Sequence, residues 1–363
     1  MRVGLIIYGS LDTLSGGYLY DRRLVETLER AGDTVRIIGI PWRNYGRHLT
    51  DVFSRRLRRD LKSAKVDVML QDELNHPSLW RVNGAVRGRW PIISIVHHLR
   101  MSEKRAAWKN RAYGVIERRY LRSVDGFVFN SETTRKAVHD QIRTEKPNVL
   151  AYPAGDRFDV SMTEQDVTER ANADGPLRIL FLGNVIERKQ LHVLIEALGL
   201  TGNVGIRVDV VGGLEVEPEY ANKVRQQVEN DGLGDRVIFH GPLADDALRA
   251  HFEQAHVLVV PSSYEGFGIV YLEGMAFGMP AIATDSGAAH EIITDRRDGF
   301  LIPTGSAPEL SMRLRDLATD RKRLARMGAQ ALKRFARHPT WEQSMTSVRE
   351  FLLETVEKAN AGT

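Results

Sequence analysis

Residues 257–291 read VLVVPSSYEGFGIVYLEGMAFGMPAIATDSGAAHE, and this stretch decides the predicted fold class. The short apolar run Val257–Val260 predicts a buried strand, and a polar turn with two glycines follows at 262–268. An apolar-faced helix is predicted from about Ile269 to Phe277. A strand that leads through a glycine-bearing loop into a helix is typical of the carboxyl edge of a parallel sheet, where α/β proteins bind ligands.

The same alternation of short apolar runs with amphipathic stretches extends along the chain and predicts an α/β fold with parallel sheets. The runs are rich in Val, Ile and Leu, as expected of strands that are covered on both faces. Six predicted strands lie in the first half, at 2–8, 34–39, 66–70, 92–96, 126–129 and 148–151. Six more lie in the second half, at 177–182, 206–211, 237–240, 257–260, 281–284 and 300–302.

The length and the two sets of strands predict two Rossmann-like domains. A chain of 363 residues exceeds the size at which a single core usually stops growing. A polar stretch at 159–175 separates the two sets, and we interpret it as the linker. The predicted domains are therefore 1–165 and 175–338. A last amphipathic helix, 341–360, needs an apolar surface to cover and is predicted to cross back onto the first domain.

Charge is divided unevenly between the halves. Residues 1–160 contain 29 Lys and Arg against 18 Asp and Glu, a net charge of +11, whereas the remainder contains 22 against 29, a net charge of −7. Two predicted helices in the first half, 54–65 and 100–122, are dense in Arg and Lys, and aromatic residues such as Trp108 interrupt the second. The basic first half is therefore predicted to attract an anionic acceptor or an anionic membrane surface. A solvated basic surface without a partner is the alternative.

Compartment and targeting follow from what the sequence lacks. There is no cysteine, which excludes disulfides and thiolate-bound metals. The apolar run Val3–Tyr8 is too short for a membrane span and lacks the layout of a signal peptide. We therefore expect a cytoplasmic protein, peripheral on the inner face of the membrane if the basic half binds lipid. No recognised nucleic-acid module is present, so nucleic acid is not expected as a partner.

Two carboxylates flank the glycine turn of the opening stretch. The backbone N–H groups of Phe267, Gly268 and Ile269 lie at the positive end of the predicted helix and suit a phosphate. Glu265 precedes them and Glu273 lies within the helix. Carboxylates accept hydrogen bonds from hydroxyl groups and repel phosphate, so sugar hydroxyls on either side of a diphosphate are their natural partners.

This stretch resembles the family 4 (group 1) glycosyltransferases, in which E-G-F-G is followed by L-E-G-M-A-x-G-x-P as at residues 265–280. The resemblance implies the GT-B fold, with two Rossmann-like domains facing across a cleft, and a retaining transfer from a nucleotide-diphosphate sugar. It also implies that Glu265 contacts the donor sugar, that Glu273 binds the ribose, and that Phe267, Gly268 and Ile269 hold the diphosphate.

The segment LFLGNVIERKQLHVLIEAL, 180–198, extends the resemblance to the family's strand, glycine and basic pair. Gly183 and Asn184 are assigned to donor binding, and Arg188 and Lys189 to the diphosphate. Fixed cations can stabilise the departing nucleoside diphosphate without a metal. The chain departs from the family at Asn184, where many members carry Arg, and at Gln190, where Gly is usual.

In the first domain the motif LSGGY, 14–18, resembles the family's glycine loop, with Gly16 and Gly17 approaching the donor. It is not the dinucleotide fingerprint G-x-G-x-x-G, which argues against a nicotinamide enzyme. His97, just past a predicted strand, matches a family histidine beside the donor sugar. His97 and His98 have no Asp or Cys near them in the sequence and make a poor metal signature, so no metal or cofactor is expected.

The sequence thus predicts a glycosyltransferase that moves a sugar from a nucleotide-sugar donor to a sugar, a glycan or a lipid-linked acceptor. His97, Arg188, Lys189 and Glu265 are the predicted catalytic residues. A nucleotide-sugar epimerase of the same fold and a non-catalytic nucleotide-sugar-binding protein are the alternatives. A phosphorylase is disfavoured, because we find no sequence context for a cofactor-bearing lysine.

Overall fold

A computed structural model describes residues 1–13, 15–102 and 107–361. Leu14 of the LSGGY motif and part of the predicted basic helix 100–122 lie outside the described residues. The chain divides into two compact units. Unit 1 contains Met1–Pro153 and Pro339–Thr363, and unit 2 contains Ala154–His338.

Strands and helices alternate through both units. The strands are β1 (Arg2–Tyr8), β2 (Thr34–Ile40), β3 (Val68–Asp72), β4 (Ile92–Val96), β5 (Gly126–Phe129), β6 (Asn148–Leu150), β7 (Leu177–Leu182), β8 (Ile206–Val211), β9 (Val237–Gly241), β10 (Val257–Val260), β11 (Ala281–Thr284) and β12 (Gly299–Ile302). The helices are α1 (Gly16–Arg30), α2 (Tyr45–His48), α3 (Arg55–Lys62), α4 (His76–Leu79), α5 (Val82–Val86), α6 (Ala107–Ser123), α7 (Glu132–Ile142), α8 (Glu164–Asn172), α9 (Leu191–Leu200), α10 (Pro218–Asn230), α11 (Asp245–Gln254), α12 (Ile269–Ala276), α13 (Ala289–Ile292), α14 (Ala307–Thr319), α15 (Arg321–Ala336) and α16 (Trp341–Ala361). Short 3-10 helices lie at Asp51–Phe53, Glu73–Asn75, Arg100–Ser102 and Glu187–Lys189.

Unit 1 is built on a six-stranded parallel sheet in the order β2-β1-β3-β4-β5-β6. All residues of β1 after Arg2 are buried, which explains the unbroken apolar run RVGLIIY, whereas the edge strand β2 is largely exposed. The strand order changes direction between β1 and β3. Ligands of open α/β sheets bind outside the carboxyl ends of strands at such a point.

The last helix, α16, completes unit 1. Its apolar positions Met345, Val348 and Leu352 are fully buried, and the Trp341 ring lies 5.8 Å from the ring of Tyr20 on α1. The Arg349 Nε donates to Asp33 Oδ2 at 2.6 Å. The predicted return of the C-terminal helix to the first domain is therefore confirmed.

Unit 2 contains a second six-stranded parallel sheet, in the order β12-β11-β10-β7-β8-β9. Counted from β9 this is the 3-2-1-4-5-6 order of a Rossmann fold. The order reverses between β7 and β10, the two strands that precede the motifs singled out in the sequence. Both strands are buried, because helices cover both faces of the sheet.

The structure confirms all twelve predicted strands, to within two residues at each end. It corrects the predicted linker at 159–175, because the helix α8 lies within it. A capping box between Thr163 and Asp166 starts α8, and Val167 and Ala171 are buried one turn apart. Their neighbours are solvent-facing, which explains the polar composition. The units divide at Pro153, earlier than the predicted boundary at residue 165.

The first helix starts within the LSGGY motif. α1 begins at Gly16 with Ser15 as its N-cap, so the two glycines of the predicted glycine loop lie in the first turn of a helix. Among the described helices, none combines the length and the hydrophobicity that crossing a bilayer requires.

Candidate functional site

Two loops meet at the carboxyl edge of the unit 2 sheet, one after β7 and one after β10. The Ser263 N–H donates to the Arg188 carbonyl at 2.8 Å, and Arg188 Nη1 donates to the Tyr264 carbonyl at 2.7 Å. These bonds join the two segments that carry the sequence motifs. The strand order reverses here, so the fold itself places both motifs at one position.

Glu265 is the centre of a charged network in these loops. Its Oε1 accepts from Lys189 Nζ at 2.6 Å and from the Ser262 hydroxyl at 2.7 Å, and it lies 3.3 Å from Arg188 Nη1. Glu265 is 8% exposed, so these partners take the place of water. The structure therefore brings together three of the four predicted catalytic residues.

Burial alone would raise the pKa of Glu265, but Lys189 and Arg188 outweigh it and lower the pKa to about 2. Burial lowers the pKa of Lys189 despite the attraction of Glu265, and Arg188 adds to the decrease. The lowered pKa of Glu265 favours the charged form of that residue, whereas the lowered pKa of Lys189 favours its neutral form. We conclude that the pair is ionised, because the 2.6 Å contact and the second cation both favour the carboxylate.

Gly183 makes room for the lysine of this network. It follows β7 with a φ of +137°, and an added Cβ would lie 3.2 Å from the Lys189 Cε. The Lys189 stem would have to shift by a few tenths of an ångström to admit a side chain here, and the positive φ already favours glycine. This requirement explains the glycine of the LFLGN motif in physical terms.

The helix α12 starts directly after the network, with Gly268 as its N-cap at a φ of +99°. A Cβ on Gly268 would lie 2.4 Å from the Tyr271 ring, so the position requires glycine. No acidic residue lies in the first turn of α12. Phe267 is buried against the fold, whereas Ile269 is partly exposed. The positive end of α12 thus lies beside two cations, an arrangement suited to an anion.

Glu273 lies one turn further along α12 and is 3% exposed. Its Oε1 is 3.7 Å from Arg157 Nη1, and Arg157 also bonds Asp245 at the start of α11. Burial raises the pKa of Glu273, while Arg157 opposes the increase. Sequence reasoning missed Arg157, because nothing in its sequence neighbourhood places it beside a helix more than a hundred residues later.

Both departures from the family pattern have a structural account. The Asn184 Oδ1 accepts from the Gly213 N–H at 3.2 Å and so joins the loops after β7 and β8. Gln190 adopts the left-handed conformation at a φ of +50°, between the 3-10 helix and α9. That conformation costs least for glycine, which explains why glycine is usual here.

In unit 1 the structure places the predicted glycines beside the predicted histidine. Gly16 and Gly17 form the first turn of α1, and a Cβ on Gly17 would lie 3.3 Å from the His97 Cδ2. His97 follows β4 and is 8% exposed, and its carbonyl accepts from Asn130 Nδ2 at 2.9 Å. Unit 1 therefore has its own cluster at the carboxyl edge of its sheet, near the strand-order reversal.

Two buried aspartates accompany His97, and the sequence did not reveal them. Asp21 Oδ1 lies 3.7 Å from His97 Nε2, and the ligand atoms of Asp21, Asp72 and His97 lie within 4.8 Å of one another. Burial would lower the pKa of His97, but these acids raise it to about 9. Burial and Asp21 raise the pKa of Asp72 to about 7. Although no Asp lies near His97 in the sequence, the fold places two beside it, which corrects the expectation drawn from the sequence.

The fold and the unit 2 site together define a class. Two parallel α/β units, the second with a cation-carboxylate network beside a helix N-terminus, are those of a GT-B protein. Solved structures agree: sucrose-phosphate synthase from Thermosynechococcus elongatus superposes with a TM-score of 0.84 at 19% identity, covering 98% of this chain and 99% of that one. HepE from Anabaena, solved with UDP and glucose, superposes with a TM-score of 0.77 at 17% identity, covering 98% and 100%.

Sequence comparison gives the family. The family described as "Glycosyl transferases group 1" matches residues 162–334, and "Glycosyl transferase 4-like domain" matches residues 14–155. The chain therefore belongs to the family 4 (group 1) glycosyltransferases.

Curated relatives match part or most of this chain. A GDP-mannose-dependent alpha-(1-6)-phosphatidylinositol monomannoside mannosyltransferase from Mycobacterium tuberculosis is 30% identical over 186 residues, which are 48% of this chain and 46% of the relative. A D-inositol 3-phosphate glycosyltransferase from Rhodococcus erythropolis is 26% identical over 319 residues, 80% of this chain and 70% of that protein. This chain thus spans about half the length of the first relative.

Proposed function

We propose that the protein is a retaining, metal-independent glycosyltransferase that uses a nucleotide-diphosphate sugar. The observation that carries the proposal is the convergence of Lys189 and Arg188 on Glu265, beside the N-terminus of α12. Two cations and a helix dipole at one sheet edge form an anion site, and a buried acid on each side of it suits a ligand with hydroxyl groups at both ends of a diphosphate.

In this proposal the diphosphate binds at the α12 N-terminus and contacts Arg188 and Lys189. The anomeric carbon exchanges its bond to the diphosphate oxygen for a bond to the acceptor oxygen, and the acceptor proton is released. Negative charge grows on the departing nucleoside diphosphate, where the fixed cations stabilise it. Glu265 faces the donor sugar, and Glu273 faces the ribose. Retention comes from the family resemblance.

The relatives suggest where to begin the search for a donor. One relative is named for GDP-mannose, and HepE was solved with UDP and glucose. We therefore propose incubating the protein with GDP-mannose, UDP-glucose and a wider panel of UDP-, GDP- and ADP-sugars, with EDTA present. Release of the nucleotide only when an acceptor is added supports a transferase. Conversion of the donor without acceptor indicates an epimerase, and binding without turnover indicates a non-catalytic protein.

Two variants separate binding from turnover at the donor site. Glu273→Ala should weaken donor binding about tenfold or more, since it removes a buried charged partner. Lys189→Ala should lower turnover by roughly 100-fold while donor binding changes less, because the leaving-group charge is greatest in the transition state. Glu229→Ala and Lys322→Ala, at exposed positions of α10 and α15, are the matched controls. Wild-type rates and affinities in both site variants would disprove the assignment.

We also propose that unit 1 contacts an anionic bilayer that presents a lipid-linked acceptor. Arg56 and Arg59 on α3 are 86% and 76% exposed, and Phe53, two residues before α3, is 69% exposed. Exposed cations next to an exposed aromatic ring are typical of interfacial binding. Sedimentation with vesicles of increasing phosphatidylserine content tests this: the bound fraction should rise with anionic lipid and fall in Phe53→Ala. Sedimentation independent of lipid charge would remove the proposal.

A further inference from the structure

A cluster of metal-ligating side chains lies in unit 2 outside the network around Glu265. Asp209 lies on β8, His240 on the neighbouring strand β9, and His251 on α11. Their ligand atoms lie within 4.8 Å of one another, and each side chain is about one-quarter exposed. The cluster is therefore both preassembled and reachable from solvent. Neither the family resemblance nor the proposed transfer reaction assigns a role to these three residues.

The hydrogen bonds of the cluster explain only part of its geometry. His240 Nε2 lies 2.6 Å from Asp209 Oδ1, which is a good hydrogen bond. His251 Nδ1 lies 4.0 Å from the same oxygen, too far for a hydrogen bond, and the two imidazole rings are 4.3 Å apart at their centroids. Two imidazoles thus converge on one carboxylate oxygen that bonds only one of them.

A divalent transition metal would accommodate all three groups. Zinc binds imidazole nitrogen and carboxylate oxygen at about 2.0–2.2 Å, so in a tetrahedral site the ligand atoms are about 3.3 Å apart. The observed separations of 2.6 and 4.0 Å bracket this value. The third separation, between the two imidazole nitrogens, is within 4.8 Å. Side-chain shifts of up to about 1.5 Å would therefore bring three ligands to a common centre, with water as the fourth. Two imidazoles and one carboxylate favour zinc over magnesium or calcium.

We infer that Asp209, His240 and His251 form a zinc site that fixes α11 to the edge of the unit 2 sheet. The site is independent of the proposed function, which needs no metal. It has a structural consequence for the donor site, because α11 also carries Asp245, the partner of Arg157. A metal at His251 would anchor the other end of this helix.

The test uses the full chain, freed of any affinity tag and of bound metal. Titration with Zn²⁺ in a calorimeter should show one ion per chain with a dissociation constant of about 10 µM or tighter. Binding should raise the melting temperature, since the ion binds the folded form. Cobalt should give visible absorption bands typical of a tetrahedral site. His251→Ala and Asp209→Asn should each weaken zinc binding at least tenfold.

The control is His139→Ala. His139 is exposed and has Asp140 beside it at 4.0 Å, but it belongs to none of the metal-ligand groups found among the described residues. Asp209→Asn keeps the size of the side chain, so it serves if His251→Ala fails to fold, with circular dichroism as the check. Undiminished binding in folded His251→Ala or Asp209→Asn, or no stoichiometric binding by the wild type, would overturn the inference. Neither result would affect the transferase assay in EDTA.

Discussion

Replacing Lys189 with methionine should uncover the energetics of the charged network in unit 2. Methionine preserves much of the apolar stem and removes the charge, so Glu265 keeps only Arg188 as a cationic partner. Removing one cation from a buried ion pair leaves the charge of Glu265 only partly compensated, which is destabilising. We therefore expect Lys189→Met to lower the free energy of unfolding.

The size of the expected loss in free energy of unfolding follows from the lowered pKa of Glu265. The pKa of Glu265 is about 2 instead of 4.5, and each pKa unit corresponds to about 1.4 kcal/mol, so the folded state favours the carboxylate by about 3 kcal/mol. Lys189 contacts Glu265 at 2.6 Å and Arg188 at 3.3 Å, so we assign the larger share, about 2 kcal/mol, to Lys189. Because the folded-state pKa is lowered, this stabilisation is complete above pH 4.5 and is lost as the pH falls towards 2.

Urea unfolding at pH 7 followed by circular dichroism is the assay. Tryptophan fluorescence alone would not suffice, since all five tryptophans lie in unit 1. The double variant with Glu265→Gln should lose about 2 kcal/mol less than the sum of the single variants. Lys322→Met is the control for loss of an exposed lysine. An unchanged transition in Lys189→Met, or strict additivity in the double variant, would refute the reasoning.

Two further outcomes are expected. Gly268→Ala should destabilise the protein by about 1–3 kcal/mol more than Gly232→Ala in thermal unfolding. Both glycines have a positive φ, but only at Gly268 would the added Cβ meet a neighbour, the Tyr271 ring. Equal losses in the two variants would contradict the predicted clash. Burial raises the pKa of Glu73 to about 7, so the ionised form is disfavoured in the folded state and stability falls as pH rises from about 4.5 to 7. Glu73→Gln should therefore be more stable than the wild type at pH 8, by up to about 3 kcal/mol, and little changed at pH 4; tryptophan fluorescence reports this unfolding, and a variant less stable at pH 8 would contradict the stated cause.

Most strands were predictable because they are buried on both faces and therefore read as short apolar runs, and the more exposed strands β2, β6 and β9 are still rich in Val, Ile or Leu. The helix α8 was not, since only Val167 and Ala171 face the core and its other positions are polar. Two buried positions are too few to establish a helical period, so the pattern does not distinguish a helix from a polar linker. The capping box at Thr163 and Asp166 was the local signal that could have revealed it.

The site was predictable where its residues share a motif. Glu265, Gly268 and Glu273 lie within one strand, turn and helix, so their spacing alone placed them at one sheet edge. Contacts that join distant segments were not predictable: Asp21 and Asp72 beside His97 come from α1 and the end of β3. Arg157 beside Glu273 was missed for the same reason. Such pairs follow from the sheet order, which no local pattern in one sequence specifies.

The docking of α16 has a consequence for how the chain is made. The fold of unit 1 is complete only when α16 packs and Arg349 contacts Asp33, which lies 316 residues earlier in the sequence. All of unit 2 is translated in between. At ~5–20 residues per second, the ribosome takes on the order of 10–40 s to synthesise residues 154–338, and α16 is synthesised only after that. All residues of unit 2 are therefore available for folding before unit 1 is complete. Until then, the side of α1 that Trp341 covers is exposed to solvent and to chaperones.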